Sequence, residues 1–192
     1  MSSSATHTAK FLSSEDFGDL FKSFSRSAFR LETLPRYEVE EEAEEFAAYL
    51  EGNPLPPESS DDIDWRHWIE TSTRQGRSWS RVHIMPEQLT PYLRYQIEWG
   101  YLFNSQAGED IRLLFSHAAS IPSNLPCRDF WLFDDSKVVI MHYAETGKYL
   151  GAEINQNNNE LALYQQTKNF ALQHSIALRN YLKELRNSPG KI

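Results

Sequence analysis

Cysteine is nearly missing: Cys127 is the only one in 192 residues. An intrachain disulfide and a four-cysteine zinc site are thereby excluded, and a reducing cytoplasm is the expected setting. Long apolar runs are missing too. Nothing approaches the roughly 20 residues that span a bilayer, and the opening "MSSSATHTAK" has no apolar core of a secretion signal. Positive charge is in short supply, with 19 Lys and Arg against 27 Asp and Glu, a net charge of −8. The basic residues are spread along the chain, so neither nucleic acid nor an anionic membrane is an expected direct partner. No G-x-x-x-x-G-K-[ST] loop, G-x-G-x-x-G turn or G-x-S-x-G elbow occurs. The histidines show no H-E-x-x-H spacing, so neither metal nor cofactor is expected.

Hydrophobic residues make up 40% of the chain and aromatics 13%, enough for one sizeable core. We expect a polar disordered tail over 1–12, a single domain over 13–186, a mobile loop at 53–63 where "NPLPPESSDD" carries three prolines, and a short tail over 187–192. Ser14, followed by Glu15 and Asp16, starts a helix whose inner face is Phe17, Leu20, Phe21, Phe24 and Ala28. Residues 28–39 read as a connector or short strand. Val39, Ala43, Phe46, Ala47 and Leu50 give an amphipathic helix over 38–51, and Trp65 to Ser72 a short one ending at Gly76.

"SWSRVHIM", residues 78–85, alternates as a strand does. Thr90 before Pro91 opens a helix over 90–104, and "EDIRLLF", 109–115, is the next strand, making a βαβ unit. Strands at 129–134, 137–143 and 148–154, joined by the turn residues "DDS" and "AETG", form an antiparallel meander. A last helix runs from about Asn158 to Leu185. The expected fold is α+β: a mixed sheet of about five strands covered by helices.

Chemistry-bearing residues are sparse in pattern. His142 is a natural proton carrier but ends an apolar strand. Asp134 and Asp135 fall where a hairpin turns. Glu109 and Asp110 with His142 make a weak metal set, and Arg128 beside Cys127 could lower a thiol pKa. Phe130, Trp131 and Phe133 put large apolar groups on both faces of one strand, which predicts a central position.

Four blocks, "FSRSAFRLETLPRYEV", "SRVHIMPEQLTPYLRYQIEWG", "AGEDIRLL" and "DFWLFDDSKVVIMHYAETGKYLGAEI", occur in an order and spacing that resembles a family of small actinobacterial proteins known as a domain of unknown function. The last block, with its F-W-L-F-D-D, H-Y and G-A-E elements, is the most specific. The resemblance covers residues 17 to about 172. It implies a gene setting beside helix-turn-helix regulators and a fold distantly like one half of a phospholipase D. That enzyme's H-x-K-x-x-x-x-D stretch is not reproduced, since His142 is followed by "YAETGK" with Lys148 six residues on. Residues recurring in the pattern are Arg30, Glu32, Arg81, Arg94, Glu98, Glu109, Arg112, Trp131, Asp134, His142 and Glu153.

Two functions are compatible with these features. One is a non-enzymatic regulatory protein that binds a protein partner, with a helix-turn-helix regulator implied by the resemblance and the acidic run Glu40, Glu41, Glu42, Glu44, Glu45 and Glu51 as a face for a basic surface. The other is a small-molecule sensor or enzyme whose charged pocket gathers Arg81, Arg94, Glu109, Arg112, Asp134 and His142, with Glu153 beside them.

Overall fold

Strands whose side chains alternate between two covered faces make the centre of the molecule. The computed structural model describes residues 10–187. Its sheet has seven strands in the order β6-β5-β4-β1-β2-β3-β7. β1 (Ser27–Glu32), β2 (Ser78–Met85) and β3 (Asp110–Phe115) are parallel. β4 (Phe130–Phe133) turns antiparallel against β1, and β5 (Lys137–Tyr143) and β6 (Tyr149–Ile154) continue the meander. The α+β class and mixed sheet follow the sequence reading, but two strands were not foreseen. One is "SAFRLE", in a stretch read as a connector or short strand and left out of the expected five; the other is β7 (Ile176–Ala177), antiparallel to β3 and too short to show a period.

Helices cover both faces. α1 (Ser14–Ser23), capped by Ser13, brings Leu20 and Phe24 onto Ala28, Trp79 and Trp131. α3 (Ser60–Arg74) adds Ile69 to that face. It begins earlier than the sequence suggested: Ser59 and Asp62 form a reciprocal capping box, so the expected mobile loop ends at 59. On the other face α6 (Leu161–His174) sets Tyr164 and Ala171 against Phe29, Leu31, Phe130 and Leu132. The expected helix 158–185 is broken in two. After Ser175 takes an extended backbone, β7 joins the sheet and α7 (Leu178–Asn187) packs Leu178 near Leu113.

Two further helices depart from their expected form. α2 (Ala43–Leu50) is shorter than 38–51 and buries no residue; Val39 and Leu50, expected inside, are 38% and 58% exposed. The helix expected over 90–104 starts as foreseen at Thr90 and Pro91 with α4 (Pro91–Tyr95). It then widens into a π turn over Gln96–Gly100 and resumes as α5 (Leu102–Ala107). The π turn is closed by Tyr101 N–H donating to the Gln96 carbonyl at 2.8 Å. Gly100 leaves room for the Gln96 side chain, whose Oε1 would lie 2.6 Å from a Cβ at that position.

The amino-terminal segment is not wholly a tail. Residues 1–9 lie outside the described residues, but Leu12 N–H donates to the Ala152 carbonyl at 2.7 Å. The ring of Phe11 lies against His142 and over Gly151, where a Cβ would come within 2.4 Å of it. Of the expected carboxyl-terminal tail, Asn187 belongs to α7 and the remainder is outside the described residues.

Trp131 is 6% exposed and meets Phe21 edge-on at 4.9 Å and Phe133 stacked at 5.8 Å. Trp131→Ala is expected to cost about 3–5 kcal/mol, the range for emptying a large core site. His142, with a third of its side chain exposed, should cost much less when replaced by alanine. Urea melts of the two variants separate these expectations: a Trp131→Ala protein as stable as the parent would mean that its ring does not serve the core.

Candidate functional site

Strand parity decides which polar groups meet. Arg30 and Glu32 share the face of Ala28 on β1, and Arg81 and His83 share the face of Trp79 on β2. The parallel register sets Arg30 beside Arg81 and Glu32 beside His83. Two adjacent guanidinium groups in a buried layer demand counter-charges, and three separate segments supply them. Glu32 Oε1 accepts from Arg81 Nη1 at 2.6 Å and lies 3.7 Å from Arg30 Nε. Asp129, just before β4, accepts from Arg30 Nη2 at 2.7 Å, and Glu109, just before β3, accepts from Arg81 Nε at 3.0 Å. Glu32, Asp129 and Glu109 are all buried.

Tyrosines complete the cluster. Tyr37 donates to Asp129 at 2.6 Å, and Tyr143 accepts from Arg30 at 2.9 Å. Tyr101, placed by the π turn, donates to Glu32 Oε2 at 2.8 Å. Its oxygen is also 2.6 Å from His83 Nδ1, while His83 Nε2 faces the Leu34 carbonyl at 2.8 Å. A carbonyl only accepts, so Nε2 carries a proton. With His83 neutral, the one phenolic proton serves either Nδ1 or Glu32; with His83 protonated, Nδ1 donates to Tyr101 and Tyr101 to Glu32. The three groups therefore form a continuous hydrogen-bonded chain.

The electrostatics follow from burial and pairing. Burial pushes the Glu32 carboxyl up, but Arg81, His83 and Arg30 together with the Tyr101 hydrogen bond outweigh it and bring it to about 2. Burial lowers His83 against the pull of Glu32. It acts against the charge of Arg81 as well, yet Glu109 and Glu32 hold that guanidinium well above its ordinary value.

Above the cluster lies a cavity of about 360 Å³. Glu32 and Arg81 line it together with Tyr37, Tyr101, Tyr143 and Tyr149, and Glu42, Tyr92 and Gln96 close one side. Glu42 Oε2 accepts from Tyr92 at 2.8 Å and Gln96 at 2.9 Å, and Tyr95 donates to Glu45. α2 is thus held on α4 by carboxylate–tyrosine bonds and by the Phe46 ring, so two of the glutamates expected on an outer acidic face turn inward.

Of the residues picked from sequence, Arg30, Glu32, Arg81 and Glu109 come together here. The others do not. Arg94 and Glu98 line a separate groove of about 930 Å³ beside α7, and Tyr49 donates to Glu98 at 3.1 Å. Arg112 donates to the Ser175 hydroxyl at 3.0 Å and carbonyl at 2.7 Å, tying β3 to the break after α6. Asp134, at φ 53° in the hairpin turn, accepts from the backbone of Ser25, Arg26 and Ser27. Those bonds overcome its partial burial and hold its carboxyl near 2. His142 and Glu153 pair with each other at 3.0 Å on β5 and β6. Cys127 is at the surface, and partial burial with Asp129 nearby pushes its thiol up, the opposite of the lowering expected from Arg128. Among the described residues no three His, Cys, Asp or Glu side chains form a metal-holding group, and no helix is long and apolar enough to cross a membrane. Asp129, His83 and the tyrosines were missed. The signal for His83 was present: in "SWSRVHIM" it shares parity with Trp79, so a charged pair had to sit on a buried face.

Glu32→Gln leaves two buried guanidinium groups short of a counter-charge and is expected to cost about 3–5 kcal/mol. The pH dependence has a definite sign. The folded carboxyl is depressed, so its contribution is complete above its ordinary 4.5 and is lost as pH falls toward about 2. His83, also depressed, begins to remove stability below its ordinary 6.5. Urea melts at pH 7, 5 and 3 should therefore show a steady decline that is shallower in Glu32→Gln; parallel slopes for the two proteins would contradict this account.

No curated protein matches the chain. Among solved structures, the crystal structure of phosphatidylserine synthase from Haemophilus influenzae Rd KW20 is similar at a TM-score of 0.47 and 14% identity, over 91% of this chain and 39% of that one. The chain thus spans well under half the length of that protein. A family model described as a domain of unknown function, DUF6879, matches residues 15–183, so the chain belongs to that family.

Proposed function

We propose that the protein is a non-enzymatic regulatory domain that senses a small polar molecule in the cavity above Glu32 and Arg81 and passes its state to a protein partner. The observation that carries this reading is a cavity of about 360 Å³, floored by the charges of Glu32 and Arg81 and bounded on one side by Glu42, the residue that leads into α2, a helix that buries none of its residues. A buried ion cluster adds little as a staple compared with apolar packing, whereas charged groups facing a cavity suit recognition. A helix held by side-chain hydrogen bonds and the Phe46 ring, with no buried residue of its own, is an element that a ligand can fix or release.

The partner in this reading is a helix-turn-helix transcription regulator in an actinobacterial cytoplasm. Glu40, Glu41, Glu44 and Glu51, the exposed part of the acidic run, lie on or beside α2 and offer a basic partner a complementary surface next to the sensing wall. A second reading, an enzyme, is favoured by the His83–Tyr101–Glu32 chain, which can move a proton to the cavity floor.

Thermal-shift measurement against a broad panel of amines, amino acids, carboxylates, sugars and nucleotides tests the sensing role. At least one class should raise the melting temperature by several degrees, and Tyr149→Ala, at the half-exposed rim, should weaken that shift. A panel with no stabilising member would remove the proposal. Co-purification from the native host across a range of salt tests the partner; recovery of no DNA-binding protein would strike that half of it.

A further inference from the structure

Unused hydrogen-bonding capacity in the cavity has both signs. Arg81 spends Nη1 on Glu32 and Nε on Glu109, and its Nη2 donates to nothing among the described residues. Arg81 lines the cavity, and Nη2 is not sealed from solvent. Tyr143, also on the lining, accepts from Arg30, yet its own hydroxyl proton meets no acceptor among the described residues. On the same lining stands Glu42, the residue before α2. Glu42 engages Tyr92 and Gln96 through Oε2 alone, which leaves Oε1 as an open acceptor. Burial raises the Glu42 carboxyl against the lowering effect of its hydrogen bonds from Tyr92 and Gln96.

Single-charge ligands fit this arrangement poorly. An anion would gain Arg81 and Tyr143 but enter a cavity whose charged lining is Glu32, Glu38 and Glu42 against one arginine. A cation would gain Glu42 and the faces of the tyrosine rings but leave the free arm of Arg81 unmet and repelled. A molecule with both charges satisfies donors and acceptor and brings no net charge into the site. The volume, at the small end for ligand sites, suits something the size of an amino acid.

We propose that the cavity binds a small zwitterion, its carboxylate on Arg81 Nη2 and the Tyr143 hydroxyl and its ammonium against Glu42 and the tyrosine rings. This rests on the sensing role proposed above and gives that role its ligand class. Because Glu42 immediately precedes α2, the ammonium end would tie the start of α2 to the floor of the cavity and so couple occupancy to the acidic surface.

Isothermal titration calorimetry on the full chain tests the class. The probes are the common α-amino acids and glycine betaine, with choline and butylammonium as cation-only and acetate and butyrate as anion-only comparisons. At least one zwitterion should bind, its single-charge analogues at least tenfold more weakly. Glu42→Gln and Tyr143→Phe, checked for unchanged folding by circular dichroism, should each weaken it by about tenfold, the cost of one charged or well-placed hydrogen bond. Equal binding of a cation or an anion alone would overturn the class, as would binding confined to sugars or nucleotides, while leaving the sensing role standing. No binding by any member of either panel would sink both.

Discussion

Two arginines placed side by side by a parallel register are the constraint around which this molecule is arranged. Arg30 and Arg81 sit on the face of Ala28 and Trp79, largely withdrawn from water, where their repulsion is only weakly screened. Glu32 from the same strand, Asp129 from the entry to β4 and Glu109 from the entry to β3 are all drawn to them. The change of strand direction at β1 therefore coincides with the place where charges are neutralised. A one-residue slip of β1 against β2 would turn these side chains to the opposite, apolar face, so the cluster selects the register as well as the pairing.

Much of the architecture was legible because its physics is local. β2 and β5 were readable to their ends from alternation and turn residues, and the start of α4 from Thr90 and Pro91. What was not legible depends on distant partners. β7 is two residues long and lies beside β3, from which it is far in the chain; the π turn has no local signature; Ser59 caps α3 because Asp62 answers it, in a stretch whose prolines read as loop.

The site shows the same division. Recurring charged residues in the sequence blocks pointed to Arg30, Glu32, Arg81 and Glu109, but the same list held Asp134, Arg112 and His142, whose work is to join one piece of backbone or strand to another. Charge alone does not separate the two kinds. Face parity does, since Arg81 and His83 fall on a side already marked by Trp79. The tyrosines carry no such mark, because Tyr37, Tyr101 and Tyr143 come from segments far apart in the chain and converge only when the sheet is assembled.

The seating of Phe11 and Leu12 on β6, together with the brevity of β7, bears on how copies of this protein behave toward one another. An outer strand with free amides and carbonyls is a template on which a second molecule can add its own strand. At one margin Leu12 engages Ala152, and Gly151 lets the Phe11 ring lie flat over the chain. At the other, the last strand ends after two residues and the chain passes directly into α7. Both margins are thus partly covered by the protein's own backbone, which shortens the template that either edge offers to a second molecule.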